Sequence, residues 1–217
     1  WGGFAIYAAK NYGCKVTTTT ISEKQYQLAK ERVEEAGLSN KITLLLEDYR
    51  DLEGQFDKLV SIEMIEAVGY QYFDDYFKKC SKLLKPDGLM VLQTITIADQ
   101  QYKYSIRSVD FIQKYIFPGG CLPSVSKIAE TITENTDMRI INIEDIGPHY
   151  ATTLSHWRER MYERIDEIRD MGYSDTFVRM WHYYLCYCEG AFIERAIGDV
   201  QMIIMKPMNR DLPYLNL

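Results

Sequence analysis

One stretch decides the fold: Leu59-Val60-Ser61-Ile62-Glu63-Met64-Ile65-Glu66-Ala67-Val68-Gly69. Its apolar beginning predicts a short buried strand, and the loop that follows carries two carboxylates, Glu63 and Glu66, at the carboxyl end of that strand. In an open parallel α/β sheet, loops at this edge converge on the crevice where ligands bind. The two acids are therefore either a working pair at a ligand site or solvated loop residues.

The strand and loop pattern repeats on both sides of this stretch. Predicted strands span residues 15–20, 42–47, 58–62, 89–96, 138–146 and 200–206. Ser22 and Gln25 have the spacing of a capping box, which predicts a helix that ends at Gly37. An apolar stripe from Tyr72 predicts a second helix, stopped by Lys85-Pro86-Asp87-Gly88. Strands that alternate with helices predict an α/β fold with a doubly wound, mostly parallel sheet.

After residue 96 the alternation is interrupted by an aromatic-rich, irregular insertion over residues 98–124. Ser124 then predicts the start of a helix that runs to about Asn135. Residues 154–196 follow helical spacing and predict two helices divided near Gly172. We expect these segments, about 97–136 and 150–198, to form a helical lid inserted before the last strand. No linker interrupts the chain, so residues 1–217 are predicted to form a single domain.

Composition excludes several classes of function. The net charge of −6 argues against nucleic acid as the main partner, because phosphate binding needs clustered Lys and Arg. Five cysteines at spacings that form no disulfide framework indicate a reducing, cytoplasmic compartment. Neither the three histidines nor the Cys186-x-Cys188 pair has metal-ligand spacing, so no metal is expected. No apolar run approaches the ~18 residues of a transmembrane helix.

The aromatic content is high, with 17 Tyr, 8 Phe and 3 Trp among 217 residues. It predicts either an aromatic-lined interior or an ordinary, well-packed core.

Three loops at the predicted carboxyl edge of the sheet favour a nucleoside-like cofactor. They contain Gly2-Gly3, Thr20-Ile21-Ser22 and Glu47-Asp48-Tyr49-Arg50. Glycines between a strand and a helix let the backbone approach a ligand closely. A dinucleotide is less supported, because the sequence contains no complete G-x-G-x-x-G motif.

Several motifs together resemble the cyclopropane fatty acid synthases, and the resemblance covers essentially the whole chain. The motifs are Trp1-Gly2-Gly3, Asp48-Tyr49-Arg50, Ser61-Ile62-Glu63-Met64-Ile65-Glu66, Tyr115-Ile116-Phe117-Pro118-Gly119-Gly120-Cys121-Leu122-Pro123-Ser124 and Gly147-Pro148-His149-Tyr150-Ala151-Thr152-Thr153-Leu154. The resemblance implies an S-adenosylmethionine-dependent enzyme with a Rossmann-like class I methyltransferase fold.

The resemblance also implies that this chain is truncated at its N-terminus. In the family, Trp-Gly-Gly follows a strand and a Gly-x-Gly turn, and an upstream segment carries a cysteine of the active site. We therefore expect a fragment that lacks the first strand of the sheet and is inactive alone.

By this resemblance, the reaction transfers a methyl group to a cis double bond of a phospholipid acyl chain. The resulting carbocation loses a proton to a bound bicarbonate, and a cyclopropane ring closes. Such a site must exclude water and offer aromatic faces to the cation. The family holds bicarbonate through positions that correspond here to Glu66, Gln93, Tyr150 and the amide of Ile95. Gln93 departs from the family pattern, in which many members have His.

The remaining site residues are also implied by the resemblance. Glu63 is expected at the edge of the cofactor or in solvent. Predicted cofactor contacts are Trp1, Thr20, Ile21, Ser22, Gln25, Asp48, Tyr49 and Ile62. Predicted acyl-channel residues, each of which is also compatible with ordinary core, are Phe117, Leu122, Leu154, Tyr184, Cys188 and Phe192.

The expected partner is a phospholipid acyl chain at a membrane surface, with peripheral membrane contact, and a homodimer is left open. Two alternatives remain. One is methyl transfer without ring closure, which gives either a methyl branch or a methylated small amine. The other is an inactive lipid-binding remnant.

Overall fold

Two units make up residues 1–210, the part of the chain that the computed structural model describes. Unit 1 is Trp1–Gly54 and unit 2 begins at Gln55. The prediction of a single domain over residues 1–217 stays a prediction.

Unit 1 is a two-stranded parallel sheet with two helices. Its elements are α1 (Gly3–Tyr12), β1 (Val16–Thr19), α2 (Glu23–Glu35) and β2 (Ile42–Leu45). β1 and β2 pair in parallel, with Val16 opposite Ile42. Small and β-branched side chains form the core of this unit: Ala5, Ala9, Val33 and Ile42.

Gly2 lies where the backbone enters α1 next to α2. Its φ is 82°, and a Cβ at this position would lie 3.2 Å from the Cβ of Ala29. Both the left-handed backbone and this close approach require glycine.

Unit 2 contains a four-stranded mixed sheet. Its strands are β3 (Phe56–Ile62), β4 (Leu84–Ile97), β5 (Arg139–Asp145) and β6 (Ile197–Met205), in the order β3-β4-β6-β5. β3 and β4 are parallel, whereas β6 is antiparallel to both β4 and β5. Parallel pairing places the ends of β3 and β4 at the same edge, where Ile62 lies opposite Gln93.

Seven α-helices lie in the part of unit 2 that the structure describes. They are α3 (Phe73–Leu83), α4 (Asp99–Ser105), α5 (Phe111–Tyr115), α6 (Val125–Asn135), α7 (Gly147–Glu163), α8 (Ile165–Asp170) and α9 (Asp175–Ile193). α3 buries Phe73, Tyr76 and Phe77 of the predicted stripe, whereas Tyr72 precedes the helix and is 47% exposed. α7 to α9 lie between β5 and β6 in the chain, so the predicted helical insertion before the last strand is confirmed.

Three local predictions need correction. The helical insertion has three helices and starts at Gly147, where a proline in the first turn suits a helix start. α3 ends at Leu83, before the predicted stop, but β4 begins directly at Leu84 and not at residue 89. The pairing of β3 with this early part of β4 is irregular, with a register shift between Phe56 and Lys58 of β3. The Ser22 side chain caps α2, whereas the Gln25 side chain contacts Thr20 and does not complete a capping box.

Candidate active site

Glu63 is the first residue after β3, and its backbone has an unusual conformation. Its φ of 50° lies in the left-handed region, which non-glycine residues rarely adopt. The Glu63 amide donates a hydrogen bond of 2.9 Å to the carbonyl of Gln93. The end of β3 is thereby fixed against β4, with the Glu63 side chain next to Gln93.

The carboxylate of Glu63 joins side chains from two distant segments. Its Oε1 accepts a hydrogen bond from Gln93 Nε2 at 2.9 Å, and its Oε2 accepts one from the Tyr150 hydroxyl at 2.9 Å. Gln93 Nε2 also donates to Asp199 Oδ2 at 3.1 Å, while Gln93 Oε1 accepts from Gln201 Nε2 at 2.9 Å. The amide of Gln93 is thus fully oriented by its neighbours.

Glu66 is hydrogen-bonded to two residues of β4 that follow Gln93. Its Oε1 accepts hydrogen bonds from the Ile95 amide at 2.6 Å and from the Thr94 hydroxyl at 2.9 Å. Its Oε2 is buried and has no hydrogen-bond partner among the described residues. Burial is the main cause that raises the pKa of Glu66 above its usual range.

Asp199 is a buried acid that was not among the predicted site residues. Its relative exposure is 0%, and Oδ1 lacks a hydrogen-bond partner within residues 1–210. Burial, followed by the charges of Glu63 and Glu66, raises its pKa to about 7. The available signal was an acid directly before an apolar run, but the predicted strand began at residue 200, whereas β6 begins at Ile197 and includes Asp199.

Tyr150 connects these carboxyl groups to an aromatic cluster. Its ring stacks on Phe192 with centroids 4.8 Å apart and meets Trp157 edge-on at 6.2 Å. Burial first, and then the charge of Glu63, raises the pKa of Tyr150, so its hydroxyl remains a neutral donor.

Most of the predicted acyl-channel residues lie in this cluster between α7 and α9. Leu154 and Phe192 are buried in it, and Tyr184 and Cys188 pack against it. Phe117 contacts Tyr184 edge-on at 6.1 Å. Leu122 is half-buried and is not part of this cluster.

In unit 1, predicted cofactor residues gather at the carboxyl ends of β1 and β2. The Thr20 hydroxyl donates to Gln25 Oε1 at 2.8 Å and accepts from the Ser22 amide at 3.1 Å. Ser22 Oγ accepts from the Gln25 amide at 3.4 Å. Ile21, between them, is 79% exposed and presents an apolar surface at this edge.

The loop after β2 carries an ion pair. Arg50 donates to both carboxylate oxygens of Asp48, at 2.9 and 2.8 Å, and holds the pKa of Asp48 at about 2. Tyr49 lies in the same loop. Trp1 is 61% exposed, and its carbonyl accepts a hydrogen bond from Arg32. Ile62, the predicted cofactor contact in unit 2, is half exposed.

The four residues predicted to hold an anion fall into two groups in the structure. Gln93 and Tyr150 meet at Glu63, whereas Ile95 meets Glu66. Glu63, expected at the edge of the cofactor or in solvent, accepts a hydrogen bond at each carboxylate oxygen. The roles of all these residues stay predictions.

A family model described as mycolic acid cyclopropane synthetase matches residues 1–202. The chain belongs to this family. The membership confirms the family resemblance that the sequence motifs indicated.

Two relatives illustrate the range of the mycolic acid cyclopropane synthetase family. The chain is 42% identical over 212 residues to the cyclopropane-fatty-acyl-phospholipid synthase of Escherichia coli, covering 98% of this chain and 53% of that protein. It is 41% identical over 206 residues to a tuberculostearic acid methyltransferase of Mycobacterium tuberculosis, covering 95% of this chain and 48% of that protein. The chain therefore spans about half the length of these relatives.

A solved structure of a mycolic acid cyclopropane synthase in complex with SAH and CTAB is similar to this chain. The TM-score is 0.86 at 26% identity, covering 95% of this chain and 75% of that one. This similarity confirms the predicted class I methyltransferase fold.

None of the helices within residues 1–210 is long and apolar enough to cross a membrane. The same residues contain no group of three or more His, Cys, Asp or Glu side chains suited to a metal ion.

Proposed function

We propose that the protein containing this chain is an S-adenosylmethionine-dependent methyltransferase that converts the cis double bond of a phospholipid acyl chain into a cyclopropane ring. The lipid would be reached by peripheral contact with the membrane surface. Membership of the mycolic acid cyclopropane synthetase family supports methyl transfer to an acyl chain.

One observation carries the proposal for this chain: a glutamate, Glu63, accepts hydrogen bonds from a tyrosine and a glutamine beside an aromatic cluster. The rings of Tyr150 and Phe192 stack on each other among apolar side chains, so they place π-electron density and a water-poor environment beside the site. Glu63 places a carboxylate next to the same rings. A site with these three properties suits a reaction that forms a cation and then removes a proton.

The residues of unit 1 fit a nucleoside-bearing cofactor. Exposed apolar surfaces at Trp1 and Ile21 can cover a flat base, while the Thr20 hydroxyl and the Asp48 carboxylate offer acceptors for sugar hydroxyls. Asp48 keeps acceptor capacity beside Arg50, because a carboxylate has about four lone-pair sites. S-adenosylmethionine, when bound, supplies a methyl group activated by a sulfonium charge.

A bound bicarbonate, implied by the sequence resemblance, fits the described contacts less well. Each of its expected donors already donates to a carboxyl group of the chain: Gln93 and Tyr150 to Glu63, and the Ile95 amide to Glu66. A further anion would lie beside the carboxylate that already holds Gln93 and Tyr150, and contact between two like charges is costly. We therefore leave bicarbonate out of the proposed reaction.

The test uses the full-length protein, methyl-deuterated S-adenosylmethionine and vesicles of a cis-unsaturated phospholipid. We expect acyl chains heavier by one methylene, which retain two of the three deuterium atoms because one is lost during ring closure. Proton NMR of the lipid should show upfield ring hydrogens. Unchanged lipid would argue for a lipid-binding remnant, and methylated amines with all three deuterium atoms would argue for N-methylation.

A second candidate function is the addition of a methyl branch to an acyl chain. It is favoured because the chain is as similar to the tuberculostearic acid methyltransferase, at 41% identity, as to the cyclopropane synthase, at 42% identity. The same experiment separates the two, since a branched product lacks ring hydrogens. Both candidates require methyl transfer to lipid.

A further inference from the structure

A group of aromatic side chains on the surface joins α5 to α9. Phe111 meets Tyr183 edge-on with ring centroids 4.7 Å apart, and its ring centroid lies 6.2 Å from that of Tyr187 and 5.5 Å from that of Tyr115. The rings of Tyr183 and Tyr187 are 6.0 Å apart on successive turns of α9. We call these four residues the aromatic face.

The aromatic face is open to solvent. Its three tyrosines, Tyr115, Tyr183 and Tyr187, are between 40% and 54% exposed. Large apolar side chains that are exposed singly are ordinary, whereas a contiguous group of them marks an interaction surface. The aromatic face therefore fits a surface that contacts a partner outside the described residues.

Cations border the aromatic face on both of its helices. The Lys114 ammonium of α5 lies 5.1 Å from the centroid of the Tyr115 ring, within the range of a cation–π contact. Arg179 precedes Tyr183 by four residues in α9, so it lies one turn away on the same side of the helix. Both cations are exposed, and neither forms a salt bridge with an acid within residues 1–210. Both charges are therefore free to meet an anionic partner.

The charge around the aromatic face is opposite to that of the whole chain. The net charge of the chain is −6, yet residues 103–117 contain three cations, Lys103, Arg107 and Lys114, and a single acid, Asp110. Asp110 caps α5 by accepting from the Gln113 amide. A second copy of the chain docked isologously would bring the same cations together, whereas anionic phospholipid headgroups would attract them. Charge complementarity therefore favours a lipid surface.

Tyrosine rings suit a lipid surface for a second reason. They are enriched where a membrane meets water, because the ring lies among the headgroups while the hydroxyl stays hydrated. Lysine, in contrast, is depleted in protein–protein interfaces. Three tyrosines bordered by lysine and arginine thus match a bilayer surface better than a protein surface.

The aromatic face adjoins the buried cluster that contains most of the predicted acyl-channel residues. Tyr184 follows Tyr183 in α9, but it packs against the cluster around Phe192. Phe117, two residues beyond α5, is exposed and meets Tyr184 edge-on at 6.1 Å. A bilayer on the aromatic face would therefore bring acyl chains to Phe117, at the border of that cluster.

We propose that the aromatic face, together with Lys114 and Arg179, docks the protein on a bilayer that contains anionic phospholipid. This inference rests on the proposed function for its choice of a lipid partner. The tyrosine rings insert among the headgroups, and the two cations contact phosphate groups. Docking in this orientation lets an acyl chain pass from the bilayer to the buried cluster with little exposure to water.

The experiment compares full-length wild type with two charge-reversal variants. Lys114→Glu/Arg179→Glu reverses the cations of the docking surface, and Lys78→Glu/Lys82→Glu is the matched control. The control cations are exposed on α3, which ends where β4 begins, whereas α5 follows the end of β4. Sedimentation with cis-unsaturated phosphatidylcholine vesicles, with and without phosphatidylglycerol, measures binding. Thermal unfolding and SAH affinity report whether each variant is folded.

We expect wild type and the α3 control to bind vesicles with phosphatidylglycerol more tightly than vesicles without it, and salt should weaken this preference. A cation near an anionic bilayer contributes about 5-fold in affinity, so the docking-surface reversal should lower binding to anionic vesicles by about 25-fold or more. Its thermal unfolding and SAH affinity should match those of wild type.

A further variant, Tyr183→Ser, tests the rings separately from the cations. Ring insertion does not depend on anionic lipid, so this variant should lose affinity for both kinds of vesicle. Its salt dependence on anionic vesicles should stay as in wild type, because Lys114 and Arg179 are retained. A loss confined to anionic vesicles would contradict the insertion of the ring.

Three results would overturn the docking surface. The first is a charge-reversed surface that binds anionic vesicles as tightly as wild type, and the second is an equal loss in the α3 control. The third is a wild-type dimer that the docking-surface variants convert to monomers with vesicle binding unchanged, since the aromatic face would then hold a second copy of the chain. Failure of the proposed function is distinguishable: wild type would bind anionic vesicles through this surface, which supports the docking, yet transfer no methyl group to their acyl chains.

Discussion

At Asp199 a carboxyl group is buried in β6, where burial and the charges of Glu63 and Glu66 raise its pKa to about 7 from a usual 3.8. The folded protein therefore binds this proton more tightly than the unfolded chain does. Stability from this group is fully present below pH 3.8 and is lost as pH rises through 7. At about 1.36 kcal/mol per pKa unit, the total loss is about 4 kcal/mol.

Replacing Asp199 with Asn should remove this pH dependence, because the amide still accepts from Gln93 but does not ionise. Between pH 5 and pH 8, we expect wild type to lose about 2–3 kcal/mol more unfolding free energy than Asp199→Asn. Urea denaturation at both pH values measures this difference. Glu194→Gln, exposed on the surface, should keep the wild-type dependence, and equal slopes in wild type and Asp199→Asn would contradict the prediction.

At the same residue scale, the sequence predicted some of the contacts among the proposed site residues but not others. Glu66 and the Ile95 amide were predicted together and are in contact. The contacts of Glu63 with Gln93 and Tyr150 depend on the register of β3 against β4 and on where α7 begins. Neither is encoded locally, so the sequence did not distinguish a bonded Glu63 from a solvated one.

Among the elements, strands and capped helices were predicted best because their signals are local. All six described strands overlap a predicted strand, and α6 begins after Ser124, whose hydroxyl accepts from the Lys127 amide. The start of α7 was missed because Gly147-Pro148 resembles a turn when read alone. A proline in the first helical turn needs no hydrogen-bond partner for its nitrogen, which is why the helix tolerates it.

The packing of α9 against α7 gives a prediction about stability. Leu185 is 2% exposed within the cluster, so Leu185→Ala should cost about 2–5 kcal/mol through lost burial and a residual cavity. Ile193→Ala on the same helix is the control, since Ile193 is 61% exposed and should cost well under half as much. Chemical denaturation of the two variants measures both values. Equal losses would mean that this face of α9 is not a packed core.

Across the whole molecule, the predicted functions separate between the two units. Seven of the eight predicted cofactor residues lie in unit 1, and the carboxyl groups and aromatic cluster lie in unit 2. The motifs for both sets were visible in the sequence because each follows a strand. The sequence did not predict that Asp199 lies near the other carboxyl groups of unit 2, because this proximity depends on the antiparallel pairing of β6 with β4.

This separation predicts different responses to two ligands, measured by hydrogen exchange on the full-length protein. SAH should slow amide exchange in residues 20–25 and 48–51, because a bound nucleoside would cover the loops after β1 and β2. Residues 37–41, which precede β2 at the opposite end of that sheet, serve as the internal control and should be unaffected. A cationic amphiphile such as CTAB should instead slow exchange in α7 and α9, whose aromatic faces suit an alkyl chain and a cationic head group. The cofactor assignment would be contradicted if SAH protected α7 and α9 but not the loops of unit 1. In that case the polar residues of the loops after β1 and β2 would not bind the cofactor.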